Sequence, residues 1–332
     1  MHNFKKTVLA TAIVALVPAM SAQLAIAQSS SMALEEVVVT GTRKEGQLPT
    51  ETLSPIDVIS SEALSRQATF SMTDSLTQIA PSLNTQRFPI ADGTAFIRPV
   101  TLRNLSPDHT LVLVDGTRRH RSALVNLQLA PLGTVNQGSQ GVDFATFPSA
   151  AVKRVEVLRD GASAQYGSDA IAGVVNVILK DADEGFTISG QTGEYDEGDG
   201  QRDMVSVNGG LSLGGNGFLN LTGEYATSDT TSRGQARPDA AEIAGIVGKS
   251  AVPYNGLGQR WGDPDLESYT GVFNTGYNVS ENVELYSNGS YYYNETKGGF
   301  FYRGPVLPTA EDNLTFTPRS TLMTDNEGGP LE

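Results

Sequence analysis

From about residue 185 onward the chain alternates apolar and polar side chains with a period of two, which restricts that part of the sequence to β-strands with two unlike faces. Between Val205 and Leu213 the odd positions are apolar or Gly and the even ones small and polar. Leu219 to Tyr225 repeats the rule. Tyr269, Gly271, Phe273, Thr275 and Tyr277 share one face of a further segment, with Thr270, Val272, Asn274, Gly276 and Asn278 on the other. Val283 to Tyr291 makes another strand, and a weaker one runs from Phe186 to Tyr195. Such faces suit a wall with lipid on one side and a wet lumen on the other, although a soluble β-sandwich also alternates.

The connections separate those two readings. Gly214 to Asn216 and Ser280 to Asn282 are tight turns, whereas Thr230 to Leu266 reads as a long structureless loop. Short turns at one end and long loops at the other mark an outer-membrane barrel, and a loop of that length is hard to place in a compact soluble domain. Tyr291-Tyr292-Tyr293, with Phe300-Phe301-Tyr302 beyond, stands where an outer aromatic girdle would fall. About five strands cannot close a barrel, because open edges in hydrocarbon leave backbone groups unpaired. Gly328 to Glu332 reads as part of a loop, so the expectation is a protein that continues, or a truncated reading frame.

The other end reads as an export signal covering residues 1–27. Lys5 and Lys6 form a positive start, Val8 to Val17 an apolar stretch well short of the roughly 20 residues of a spanning helix, and Ala25-Ile26-Ala27 a small-x-small cleavage site. An exported chain without Cys has neither disulfides nor thiolate metal sites to staple it. With 23 basic against 37 acidic residues and no basic block, a nucleic-acid partner is excluded.

Residues 28–54 read as a polar, extended tether with one β-branched run, Glu36-Val37-Val38-Val39-Thr40. From 55 to 181 the pattern is mixed α and β. Strands are predicted at Pro55 to Ser60, Phe96 to Leu105, Thr110 to Val114, Val152 to Leu158 and Val174 to Leu179, with short helices at Ser61 to Arg66 and Ser71 to Ala80.

Four runs in this region, Leu102 to Leu105, Leu111 to Arg119, Val152 to Gly161 and Tyr166 to Ile178, resemble in order and spacing the plug of TonB-dependent outer-membrane receptors. Asn104 and Asp160 depart from the commonest pattern, standing where many members carry Gly. The resemblance implies an α+β plug domain followed by the start of a transmembrane antiparallel β-barrel, of about 22 strands in the complete protein and about five here.

The same resemblance gives the other segments roles. Glu36, Val37, Val38, Val39 and Thr40 resemble a TonB box, which pairs as an added strand with TonB and its inner-membrane energising complex. Arg103 and Arg159 are implied to reach carboxylates on the barrel wall and lock the plug there. Apical loops at Gln86 to Ala95 and His120 to Gly141 would meet a small extracellular ligand, offering Arg87, Phe88, His120, Arg121, Asn126, Asn136 and Gln137. The implied activity is TonB-dependent transport of a scarce ligand across a Gram-negative outer membrane: an iron-siderophore complex, haem, cobalamin or an oligosaccharide. Outer-membrane lipid and lipopolysaccharide would surround the barrel.

Enzyme chemistry has little support. Gly161-Ala162-Ser163-Ala164-Gln165 lacks the closing Gly of a nucleophile elbow, and no complete Gly-xxxx-Gly-Lys-Ser/Thr phosphate-binding loop occurs. His109 and His120 have no partner at metal-ligand spacing, so no metal and no cofactor are expected. Asp196-Glu197-Gly198-Asp199 reads as a solvated acidic loop, with Ca²⁺ binding as its rival. Two alternatives remain: a truncated, non-transporting plug-like binding module, and a signal-transducing receptor.

Overall fold

The computed structural model describes residues 55–67, 69–85, 96–126, 137–247, 252–260 and 262–298. The expected signal, the tether with its Glu36–Thr40 run, and Phe300 to Tyr302 lie outside them.

Strand β1 (Ile56–Ser60) runs into helix α1 (Ser61–Ser65), and helix α2 (Met72–Ile79) follows. Each helix starts at a serine that satisfies one of the unpaired amides of its first turn, Ser60 Oγ accepting from Ala63 N and Ser71 Oγ from Asp74 N. Two-residue strands β2 (Leu83–Asn84) and β3 (Thr101–Leu102) pair with each other. Then come β4 (Thr110–Val114), β5 (Thr117–Arg118), β6 (Val152–Leu158), helix α3 (Ser163–Tyr166) and β7 (Gly173–Leu179).

The main sheet of this N-terminal domain has the order β1-β6-β7-β4-β5, with β4 and β7 parallel and the other pairs antiparallel. β4 and most of β7 read as apolar runs because both of their faces are covered, whereas β6 interleaves Lys153, Arg154 and Glu156 with its buried valines. One face packs with α1 and α2 through Ile59, Leu64, Met72, Leu76, Val112, Val155, Val175 and Val177. Leu111, Leu113, Leu158, Ala170 and Val174 form a smaller cluster. Burying one such side chain contributes about 1.5–3 kcal/mol, so these valines and leucines carry the stability of the domain.

The strand expected over Phe96 to Leu105 shrinks to Thr101–Leu102. Pro99 has no amide to give a ladder, and Arg103 (φ 54°) and Asn104 (φ 59°) turn the chain through the left-handed region. Asn tolerates that region better than most L-residues, which accounts for Asn104 where many resembling sequences hold Gly. β4 and β5 are joined by Asp115 and Gly116, both at positive φ, the Asp-Gly pair that a two-residue hairpin turn prefers.

Five long strands follow as an antiparallel meander: β8 (Phe186–Gly193), β9 (Arg202–Ser212), β10 (Gly217–Ser228), β11 (Asp265–Ser280) and β12 (Val283–Lys297). Residues 213–216 and 281–282 are the short turns; 194–201 and 229–264 are the longer connections at the opposite end. The last of these is not structureless as expected, since helix α4 (Ala240–Val247) forms within it, a short run rich in Ala and Ile bounded by Arg237 and the Gly-Lys-Ser of 248–250.

Gly173 makes the tightest approach in the N-terminal domain. Its φ is +144°, and a Cβ there would lie 2.1 Å from Leu158 O and 2.5 Å from Leu102 Cδ2. Gly173→Ala is therefore expected to destabilise the domain by about 2–5 kcal/mol, from backbone strain and overpacking together. A thermal unfolding midpoint equal to that of the unmodified protein would contradict this account.

Candidate functional site

The two layers meet along the inner face of the five-stranded sheet, where the register sorts side chains as the alternation predicts. Phe186, Ile188, Val205, Leu211, Leu221, Phe273, Leu285 and Tyr291 all point away from the N-terminal domain and are exposed. Ser206, Asn208, Asn220, Thr222, Ser268 and Thr270 point inward and are buried. The expected girdle is corrected in one respect: Tyr292 faces inward, being one residue out of phase with Tyr291 and Tyr293. Tyr225, Tyr269 and Tyr293 instead form the outward aromatic row, in direct register, with ring centroids 4.9 and 6.1 Å apart. Glu267 Oε1 accepts from the hydroxyls of Tyr225 (3.2 Å) and Tyr269 (2.6 Å).

Three inward asparagines stand in one row across adjacent strands, Asn220 opposite Asn274 and Asn274 opposite Asn288. They meet the segment that leaves the N-terminal domain. Asn274 Nδ2 donates to Lys180 O (3.2 Å) and Asn220 Nδ2 to Ala182 O (3.1 Å). Asn288 Nδ2 donates to Asp115 Oδ2 (3.4 Å), while Asp115 Oδ1 accepts from Leu179 N (3.0 Å). Farther along, Gly210 N donates to Gly185 O (3.0 Å), and the chain then pairs as β8. Residues 180–185 thus cross the wall strand by strand, from β11 to β9, while β12 is reached through Asp115. Gly210 leaves the room, since a Cβ there would sit 2.4 Å from Ala182 O and 2.7 Å from Glu184 N.

Burial pushes the Asp115 carboxyl above the ordinary aspartate range, reinforced by the charge of Asp181 and opposed by the Leu179 amide and Arg154. Asp143 is also pushed up by burial, although its carboxylate accepts from Arg98 N (2.9 Å) and Ala145 N (3.0 Å). Arg119 stacks on Phe147, 5.3 Å from the ring centroid, and reaches the wall at Ser290 Oγ (3.0 Å). Its half-buried position disfavours the charge, and Asp143 partly restores it. A separate cavity of about 640 Å³ runs between α1 and the wall, lined by Glu62, Lys180, Gln191, Asn208 and Glu224 among others.

The residues expected from sequence fall into three groups. Arg87, Phe88 and Asn136 lie outside the described residues, as does Glu36–Thr40. Arg103 and Arg159 form ion pairs within the N-terminal domain, Arg103 with Asp160 (3.6 Å) and Arg159 with Asp57 (3.0 Å). Both pairs are more than a third exposed, so each contributes about 0–1 kcal/mol. His120, Arg121 and Gln137 are exposed, with Arg121 near Asp108 (3.8 Å) and Asp169 (3.5 Å). Asn126 is fully buried and closes a loop, its amide donating to Ser139 O (2.9 Å) and its carbonyl accepting from Gly138 N (2.6 Å).

The acidic loop is engaged by one cation. Arg233 bonds Glu197 (2.9 Å) and Asp199, stacks on Tyr195 and holds Asp199 below the ordinary range. No cluster of three metal-ligating side chains occurs among the described residues.

Residues 49–174 match a family described as TonB-dependent Receptor Plug Domain. The vitamin B12 transporter BtuB of Vibrio cholerae is 27% identical over 289 residues, covering 85% of this chain and 40% of that protein. The chain therefore spans about two fifths of the length of the curated relatives it matches. Among solved structures, the siderophore receptor PirA from Acinetobacter baumannii aligns with a TM-score of 0.53 at 20% identity, over 77% of this chain and 33% of that one.

Gly210→Val tests the crossing directly. The side chain has no space beside Ala182 O, and relieving the clash should cost about 1–3 kcal/mol and loosen the joint between the two layers. Limited proteolysis should then cut within residues 180–185; full resistance would show that the segment takes another route.

Proposed function

We propose that this chain, whose residues 49–174 match the TonB-dependent receptor plug family and whose later strands form an antiparallel sheet, serves active transport of a scarce ligand across the outer membrane, with the plug gating the lumen of a barrel. One observation carries the reading: a sheet with an apolar outer face holds its polar inner face against the domain that matches the plug family. An exposed apolar surface of that extent suits lipid, and an inner wall of Ser, Thr and Asn suits a wet lumen.

In this reading residues 1–27 are removed on export and residues 28–54 trail into the periplasm. Ligand bound from outside shifts the plug, and Glu36–Thr40 becomes available as an added strand on TonB. Main-chain hydrogen bonds at about 0.5–1.5 kcal/mol each make that grip reversible. Energy from the inner membrane must then open the path, because a ligand alone shifts an equilibrium only by its differential affinity. Cobalamin, named for the sequence relative, and an iron-siderophore complex, named for the fold relative, are the two ligands to try first.

Deleting Glu36–Thr40 should abolish energised uptake of radiolabelled cobalamin or ferric siderophore while surface binding persists. Uptake at the unmodified rate would remove the assigned role of that segment.

A further inference from the structure

We propose that Asn220, Asn274 and Asn288 form a latch of side-chain amides that holds the plug's exit segment and the adjoining Asp115 turn against the barrel wall and keeps the lumen sealed. The proposal rests on the reading of the N-terminal domain as a plug seated in a barrel.

Three observations point to it. First, the row spans three neighbouring strands at one height, and successive strands lie about 4.8 Å apart. Residues two apart on an extended chain are about 6.6 Å apart, so a segment crossing obliquely offers alternate carbonyls to successive strands. Lys180 O and Ala182 O are such carbonyls, and they are the ones taken by Asn274 and Asn220.

Second, the asparagine side chains are aimed outward from their own sheet. Asn208, also on the inner face, bonds Asn220 Oδ1 (2.7 Å) and Thr222 Oγ1 (2.8 Å) and so stays within the wall. The three of the row send their amide hydrogens to the plug instead. Third, Asn288 reaches the same Asp115 carboxylate that accepts from Leu179 N, so the last bond of β7 and the first bond to the wall share one group.

The two amide-to-carbonyl bonds, from Asn274 and Asn220, are individually weak and insensitive to salt. They can be broken one at a time when the plug is pulled and remade when it returns, without stranding a buried charge. The one ionisable member is Asp115. The groups facing it are the Leu179 amide and Asn288, with Asp181 and Arg154 acting through charge and Lys153 bound to Asp181.

The test uses the intact receptor in outer membranes. In the triple variant Asn220→Ala, Asn274→Ala, Asn288→Ala, amide hydrogen exchange over residues 180–185 should accelerate by about tenfold or more, while β6 and β7 keep their protection. Cells bearing it should become sensitive to vancomycin, a glycopeptide that a sealed lumen excludes. Unchanged exchange at 180–185 overturns the proposal.

Should the triple variant fail to insert, Asn288→Asp gives a separate readout by setting a second carboxylate against Asp115. The protection factor at 180–185, with the intrinsic base-catalysed rate divided out, should then fall as pH is raised from acid to neutral, and Asp115→Asn should abolish that fall. A pH-independent protection factor in Asn288→Asp overturns the proposal as well. None of these measurements needs ligand or TonB, so a failure of the transport reading would show in the uptake assay and leave them unaffected.

Discussion

Residues 179–186 must pass from the middle of one sheet to the edge of another, from buried Leu179 through half-buried Lys180 to an exposed stretch at 181–186, and the joint between the two layers depends on how the carbonyls facing the wall are satisfied. A buried carbonyl without a donor costs about 1–3 kcal/mol, so an exit segment pressed on an apolar wall would be expelled. Here the wall supplies a donor at each step, and at β9, where the backbone comes nearest, it supplies a glycine. The polarity of the inner face thus serves the crossing, by giving the carbonyls of Lys180 and Ala182 their donors.

The two layers answer to different solvents. The N-terminal domain hides its valines and leucines between sheet and helices, as a water-soluble domain does. The five-stranded sheet turns its largest apolar side chains outward and its amides and hydroxyls inward, the inverse order. Association between the layers therefore cannot rest on a shared hydrophobic core. Partly buried Val272 is an exception, packing against the larger core cluster, and hydrogen bonds with the Arg119–Ser290 contact do most of the joining. The surface ion pairs of Arg103 and Arg159 lie within the N-terminal domain and take no part in that joining.

Much of the fold was legible. β1, β4, β6, β7 and both early helices lie within a residue or so of their expected places, because each is bounded by a serine cap, a proline or a glycine and filled by an apolar run of the right period. The five wall strands and their short turns were legible for the same reason. Phe96 to Leu105 misled, since β-branched and apolar residues there outweighed Pro99 and gave no hint of two successive left-handed residues. α4 was hidden by its setting in a long polar connection, and Tyr292 by treating three tyrosines as one group although alternation sends the middle one inward.

The period-two pattern and the plug motifs by themselves determined the kinds of layer, their order along the chain and which side chains of each strand share a face, because those properties are local to the backbone. The pairing of faces was decided only by the tertiary structure. The Asn274–Asn288 register passes through an irregularity between Asn278 and Ser280, and the Asn220–Asn274 register depends on a connection spanning residues 229–264, so no local rule places those asparagines in one row. Nor does any local rule bring Asp115 to Leu179 and Asn288: that meeting requires the Asp-Gly turn, the parallel β4–β7 pair and the wall to be assembled at once.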